Sequence, residues 1–165
     1  MQHVQTRSTT SALVLTAVLI ALATLFTMYT KIPVPGIRGY FNVGDVVIMT
    51  SALLLGQKYG AYIGAIGPAL ADLFLGYAVF VPITFVVKGI EGYLVGTVYN
   101  NKTTTSALVA TIVGGIIIVA GYFIAEYFVF DPGVAIASIL TNTIQAVMSV
   151  IISMILYAIL RKRLG

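Results

Sequence analysis

Residues 106–129 read SALVATIVGGIIIVAGYFIAEYFV, 24 consecutive positions with one charged side chain, Glu126. As a helix rising about 1.5 Å per residue, the stretch is roughly 36 Å long, more than the ~30 Å hydrocarbon core of a bilayer. A helix this apolar on every side needs lipid or protein around it. The remainder of the chain has the same character. Of its 165 residues 59% are hydrophobic and 8% charged, and the mean hydropathy is +1.05. A soluble domain is about 25% charged, so this composition cannot supply a water-facing surface. It predicts an all-α integral membrane protein, multi-pass in the cell membrane. At roughly 27 residues per span with its connector, the length accommodates about six spans and leaves no room for an ATPase module. No phosphate-cradling G-x-x-x-x-G-K-[ST] loop and no dinucleotide fingerprint occurs.

Outward from this stretch, the apolar runs place spans at about 12–29, 43–56, 61–75, 82–99, 106–129 and 134–160, one transmembrane domain over residues 1–165. Pro33, Pro35, Gly36 and Gly39 exclude a helix between the first two spans. The second apolar run is short, so its helix is predicted to tilt or to sit inside the bundle. Six spans leave both termini on one side, with Arg7, Lys58, Lys102, Arg161, Lys162 and Arg163, against Lys31 and Arg38 on the other. The positive-inside rule predicts that both termini are cytoplasmic. The net charge of +4 is read as this topology signal and not as a nucleic-acid surface. Asp45, Asp72, Glu126 and Asp131 then fall at or near the outer connectors, with Glu91 deeper. Cysteine is absent and His3 is the only histidine, so no metal centre, no cofactor and no enzyme chemistry is predicted.

An ionisable side chain at the middle of a span costs about 2.5–3.5 kcal/mol on insertion scales, so such groups usually face a cavity or a partner. Asp72 lies in span three; Lys88 and Glu91 lie in span four, three residues apart on one helical face with Thr84 and Gly92. Two readings stand: Lys88 and Glu91 neutralise each other and pin the bundle, or they line a ligand pocket. Span six carries Ser138, Asn142, Gln145 and Ser149 as one stripe. The primary amides of Asn142 and Gln145 suit the donor and acceptor edge of a heterocycle. Tyr40, Phe41, Tyr77, Phe80 and Phe85 are available either to stack on a planar ligand or to anchor at the interface. The predicted substrate-binding set is Lys88, Glu91, Asn142, Gln145, Asp72, Asp45, Tyr40, Phe41 and Tyr77. Small residues four apart, Ala17 with Ala21, Gly60 with Gly64 and Gly92 with Gly96, permit close helix approach, and Pro68 is predicted to kink span three.

The stretch from Phe41 to Gly60, FNVGDVVIMTSALLLGQKYG, is followed by GPALADLFLGY at 67–77 and FVVKGIEG at 85–92. Together these resemble the substrate-binding S component of energy-coupling factor (ECF) vitamin transporters, in the branch assigned to riboflavin, hydroxymethylpyrimidine or pyridoxine-like substrates. The resemblance implies capture of a vitamin or precursor at the outer side. Delivery inward would use a transmembrane coupling subunit and two cytoplasmic ATPase subunits. It also implies docking through Ala17 and Ala21, and a lid over the ligand formed by about Lys31 to Asn42. A heteroaromatic ligand would meet Lys88, Glu91 and Asn142, with Asp72 and Asp45 shaping the rim. Hydroxymethylpyrimidine or a pyridoxine-like solute is the first expectation and riboflavin the second; the absence of tryptophan disfavours thiamine. The alternative is a self-sufficient secondary transporter or facilitator, with Asp72, Glu91 and Lys88 as a proton relay.

Overall fold

A computed structural model describes residues 9–33, 40–99 and 103–164. It contains six helices: α1 (Thr9–Tyr29), α2 (Asp45–Leu55), α3 (Gln57–Phe74), α4 (Phe80–Val98), α5 (Thr104–Val129) and α6 (Pro132–Leu164). Four of them, α1, α4, α5 and α6, are long and apolar enough to cross a bilayer. The predicted all-α membrane architecture with six helices is the one observed. Arg7, Arg38 and Lys102, and half of the predicted lid (34–39), lie outside the described residues.

The helix ends follow local chemistry. Thr103 caps α5 by accepting the Ser106 amide at 3.1 Å. Asp131 accepts the Val134 amide at 3.0 Å, and Pro132 follows at the first helical position, where its missing N–H costs nothing. Between α2 and α3, Gly56 takes φ +89°, a left-handed conformation that lets the chain reverse within one residue. Pro68 lies inside α3, where its ring is buried and the helix runs on to Phe74.

Helix α2 is only 11 residues, about 16 Å, and cannot cross a membrane alone. Nine of those residues are buried, since the helix contacts α1, α3, α4, α5 and α6. It is a central plug, which explains why its apolar run is short yet uniformly apolar. One detail departs from the irregular loop expected before it: Ile32–Pro33 (β1) and Tyr40–Phe41 (β2) form a minimal antiparallel ladder, Ile32 opposite Phe41 and Pro33 opposite Tyr40. Two-residue strands leave no periodicity to detect.

The two ends of the bundle differ in chemistry. At one end a chain of rings, Tyr40–Tyr77–Phe80–Phe130, with centroids 5.0, 6.3 and 5.4 Å apart, ties together the α1–α2, α3–α4 and α5–α6 connectors. Lys31 Nζ lies 4.7 Å from the Tyr77 ring centroid and 5.7 Å from that of Tyr40. At the other end Thr97 donates to Gln57 Oε1 at 2.8 Å, and the Tyr99 and Tyr157 hydroxyls meet at 2.5 Å. The functional groups lie toward the first end.

Candidate substrate site

Asp45 opens α2, where the helix N-terminus favours a carboxylate. Its position is prepared by the preceding turn. Asn42 Oδ1 accepts the Gly44 amide at 2.8 Å, and a Cβ on Gly44 would lie 2.1 Å from Thr27 Oγ1, so only glycine brings the chain this close to α1. Expected at the rim, Asp45 is instead fully buried, because α2 enters the bundle at that residue. One carboxylate oxygen forms a short ion pair with Lys88 Nζ of α4, and the other accepts Gln145 Nε2 of α6 at 2.7 Å. Gln145 Oε1 in turn accepts the Asn42 amide at 3.0 Å. Three elements far apart in sequence are thereby locked through one acid.

Glu91, the partner of Lys88 on one of the two sequence readings, also pairs with it but stands farther off, with Oε2 3.6 Å from Nζ, and its carboxylate accepts no hydrogen bond among the described residues. Its stem occupies space left by Gly114 of α5, where a Cβ would lie 3.5 Å from Glu91 Cγ and 2.6 Å from Val95 Cγ2. Lys88 Nζ also lies 5.4 Å from the centroid of the Tyr122 ring, whose hydroxyl is 2.9 Å from Thr84 Oγ1. Both ions of the pair are thus enclosed by protein.

Beside this network is a small polar cavity lined by Tyr40, Asn42, Phe80, Tyr122, Glu126, Ser138, Asn142 and Gln145, with a volume of about 30 Å³. A water needs about 10–15 Å³ measured this way, so the cavity holds about two waters and no heterocyclic ring. Tyr40 forms part of its wall, and its hydroxyl donates to Asp72 Oδ1 at 2.5 Å. Burial, and next the Asp72 carboxylate, push the Tyr40 phenol far above its usual range, so it stays protonated as a donor. Asn142 Nδ2 is buried without a hydrogen-bond partner.

Of the nine predicted site residues, Tyr40, Asn142 and Gln145 line the cavity. Lys88 and Asp45 lie behind it, joined to it through Gln145, and Asp72 holds Tyr40. Tyr77 packs against Tyr40 with the two rings tilted, and Phe41 is half-buried in β2 opposite Ile32. Sequence reasoning did not place Tyr122 and Glu126 in the site. The available signal was their spacing, two polar side chains four apart in an otherwise apolar segment. Glu126 is 4% exposed and accepts a short hydrogen bond from Ser138 Oγ. Three larger grooves, about 560 Å³ between α5 and α6, about 340 Å³ between α1, α2 and α6, and about 420 Å³ over Tyr77, Phe80 and Phe130 at the ring-chain end, are lined mainly by apolar side chains and present no ionic group among the described residues. Ala17 and Ala21 are exposed on α1, beside Val14 and Val18, while Ala23 and Thr24, farther along the same helix, pack against Gly67 of α3.

Comparison with known proteins gives this arrangement a family. Residues 7–162 match the family of S components of ECF-type riboflavin transporters. Over 145 residues the chain is 41% identical to an uncharacterised protein from the gap 3′ region of Pyrococcus woesei, covering 86% of this chain and 96% of that one. It is also 29% identical over 149 residues to the thiamine precursor transporter HmpT of Lactococcus lactis subsp. cremoris, covering 89% and 83%. The fold is that of two solved S components, each 20% identical. One is the S component of a bacterial ECF transporter, at TM-score 0.77 with 94% of this chain and 98% of that one covered. The other is the S component for biotin of an ECF-type ABC transporter, at TM-score 0.59 with 91% and 94% covered. The bundle, the buried polar layer and the match along nearly the whole chain lead to one conclusion: this integral membrane protein belongs to the S-component family of ECF-type riboflavin transporters and is the S component of a vitamin transporter.

Proposed function

We propose that the chain captures a small heteroaromatic vitamin or precursor at the extracellular side, hydroxymethylpyrimidine or a pyridoxine-like solute in preference to riboflavin. It then delivers the ligand inward with a transmembrane coupling subunit and two cytoplasmic ATPase subunits. The observation that carries this reading is the buried polar layer. Groups from the α1–α2 connector, α2, α4, α5 and α6 converge on or beside one small polar cavity, with Asn142 Nδ2 at its wall and the Glu91 carboxylate deeper both without a hydrogen-bond partner among the described residues. Buried polar groups normally find partners, and those that do not are candidates for a ligand's. A single-ring solute requires less expansion of a two-water cavity than the three-ring flavin does. On this reading Tyr40 must swing out to admit the ligand, and the ring chain end of the bundle faces outward, in keeping with the positive residues at the opposite end.

Calorimetry on detergent-purified protein with hydroxymethylpyrimidine, pyridoxine and riboflavin, with mass spectrometry of co-purified solutes, tests the reading. The first two should bind more tightly than riboflavin; the reverse order would overturn the preference, and no binding by any would remove the capture role. Tyr40→Phe should accelerate ligand release about tenfold or more, since it deletes a hydrogen bond to a carboxylate that holds the closed state. Stopped-flow dissociation reads this directly, and an unchanged rate would free Tyr40 of the role.

Docking is proposed for the α1 face bearing Ala17 and Ala21, whose small side chains allow another helix to approach closely. Ala17→Trp with Ala21→Trp is expected to abolish ATP-driven uptake in vesicles containing all subunits, while binding to the isolated chain changes less than about twofold, because neither side chain packs within the bundle. Full uptake by the double variant would place docking elsewhere. Uptake by the chain alone would point instead to a self-sufficient transporter.

A further inference from the structure

Lys88, Asp45 and Gln145, all expected to meet the ligand, already satisfy one another. The capacity left at the cavity wall lies elsewhere. Glu126 has one oxygen, Oε2, held by Ser138, and its other oxygen accepts no hydrogen bond among the described residues. Asn142 Nδ2, lining the same cavity from α6, donates to no group among the described residues. An acceptor on α5 and a donor on α6 therefore border one void. The charge balance points the same way. Asp45, Asp72, Glu91 and Glu126 are four buried carboxyl groups, at 0–4% exposure, with Lys88 as the one buried ammonium among the described residues. A ligand that brings donors to this layer compensates it; one that brings more acceptors does not.

We propose that Glu126 and Asn142 form the specificity edge of the site and select amino-substituted nitrogen heterocycles. This inference rests on the capture role proposed above and narrows its substrate class. Glu126 accepts from an exocyclic amino group. Asn142 donates to the adjacent ring nitrogen, and Ser138 holds Oε2 of the carboxylate, which leaves the other oxygen to accept from the ligand. An oxo group in place of the amine would set a carbonyl oxygen against the carboxylate. The mismatch is expensive because a buried acceptor then loses its donor. Phe80 and Tyr122, which line the same cavity, border the ring.

The test compares an aminopyrimidine carrying a hydroxymethyl group with the pyrimidinone in which oxo replaces amino. Calorimetry is run on the full chain in detergent, with pyridoxine and riboflavin as further probes. The amino compound should bind at least about tenfold more tightly than its oxo counterpart. Glu126→Gln, whose side-chain amide can turn a donor toward the ligand, should reduce that ratio toward unity, whatever it does to absolute affinity. Asn142→Leu removes a donor that has no partner in the fold, so it should leave the thermal midpoint unchanged or higher while weakening the amino compound at least about tenfold. Equal affinity for the two pyrimidines, an unchanged ratio in Glu126→Gln, or unimpaired binding by Asn142→Leu would each overturn the assignment. If pyridoxine or riboflavin binds and neither pyrimidine does, the specificity edge is wrong and capture stands. If no probe binds to protein that melts cooperatively, both fall.

Discussion

Lys88→Met is expected to destabilise the protein by about 3–5 kcal/mol, the range for removing one partner from a buried ion pair. Lys88 is 2% exposed and lies between two carboxylates, bonded to Asp45 and 3.6 Å from Glu91. Its ammonium is therefore shared, and deleting it leaves two acids enclosed where water cannot reach them. Met occupies nearly the same volume, so the loss is one of charge compensation and not of packing. Asp45→Asn in the same chain should recover a large part of the stability, because it neutralises the closer acid while its side-chain oxygen still accepts Gln145 Nε2. Lys88→Met with Glu91→Gln, by contrast, leaves Asp45 charged and should recover less. Denaturation in detergent, followed by the loss of helix signal, ranks the three variants. A single substitution costing under about 1 kcal/mol would mean that water or lipid headgroups reach the pair and that the layer is not sealed.

That experiment also marks the boundary of what was legible beforehand. The helices could be read because each apolar run reports its own environment: residues 106–129 have no alternative to a bilayer or a protein interior. The short run at 43–56 left a tilted helix or one inside the bundle, and α2 is buried as a plug. Lys88 and Glu91 share a face because helical geometry alone puts them there. The identity of the partner was a tertiary matter. Asp45 lies 43 residues from Lys88 and 100 from Gln145 in sequence, and nothing in the local pattern says that α2 begins beside the middle of α4. Proximity in sequence favoured Glu91; the packing of α2 favoured Asp45. Glu126 was legible as an acid but not as a wall of the cavity, because that depends on Ser138 approaching from the next helix. The place of Tyr40 in the cavity wall is held by Asp72, 32 residues away, and is equally invisible to periodicity.

The position of α4 itself depends on glycine, which leads to the second large effect. Gly64→Ala is expected to cost about 3 kcal/mol, at the upper end for overpacking, and to abolish ligand binding in whatever protein still folds. Helix propensity alone would favour alanine over glycine by about 1 kcal/mol, so the sign is decided by contact. A Cβ at residue 64 would lie 2.1 Å from the Lys88 carbonyl oxygen and 2.9 Å from its carbonyl carbon, and backbone cannot swing aside as a side chain can. The same close approach recurs one turn away, where a Cβ on Gly92 would lie 2.1 Å from the Gly60 carbonyl oxygen. Helices α3 and α4 therefore meet backbone to backbone, and the collision at Gly64 falls on the residue that carries the ammonium. Forcing the helices apart moves Lys88 away from α3 and disturbs its bond to Asp45, so stability and binding fail together. Gly115→Ala is the comparison: the nearest atoms to its Cβ would be Ala146 Cβ at 3.3 Å, Val150 Cγ2 at 3.7 Å and Ala146 Cα at 4.0 Å, and it should be close to neutral. Thermal midpoints and ligand affinities of the two variants, measured side by side, decide whether the α3–α4 contact positions the site; equal stability and equal binding would show that it does not.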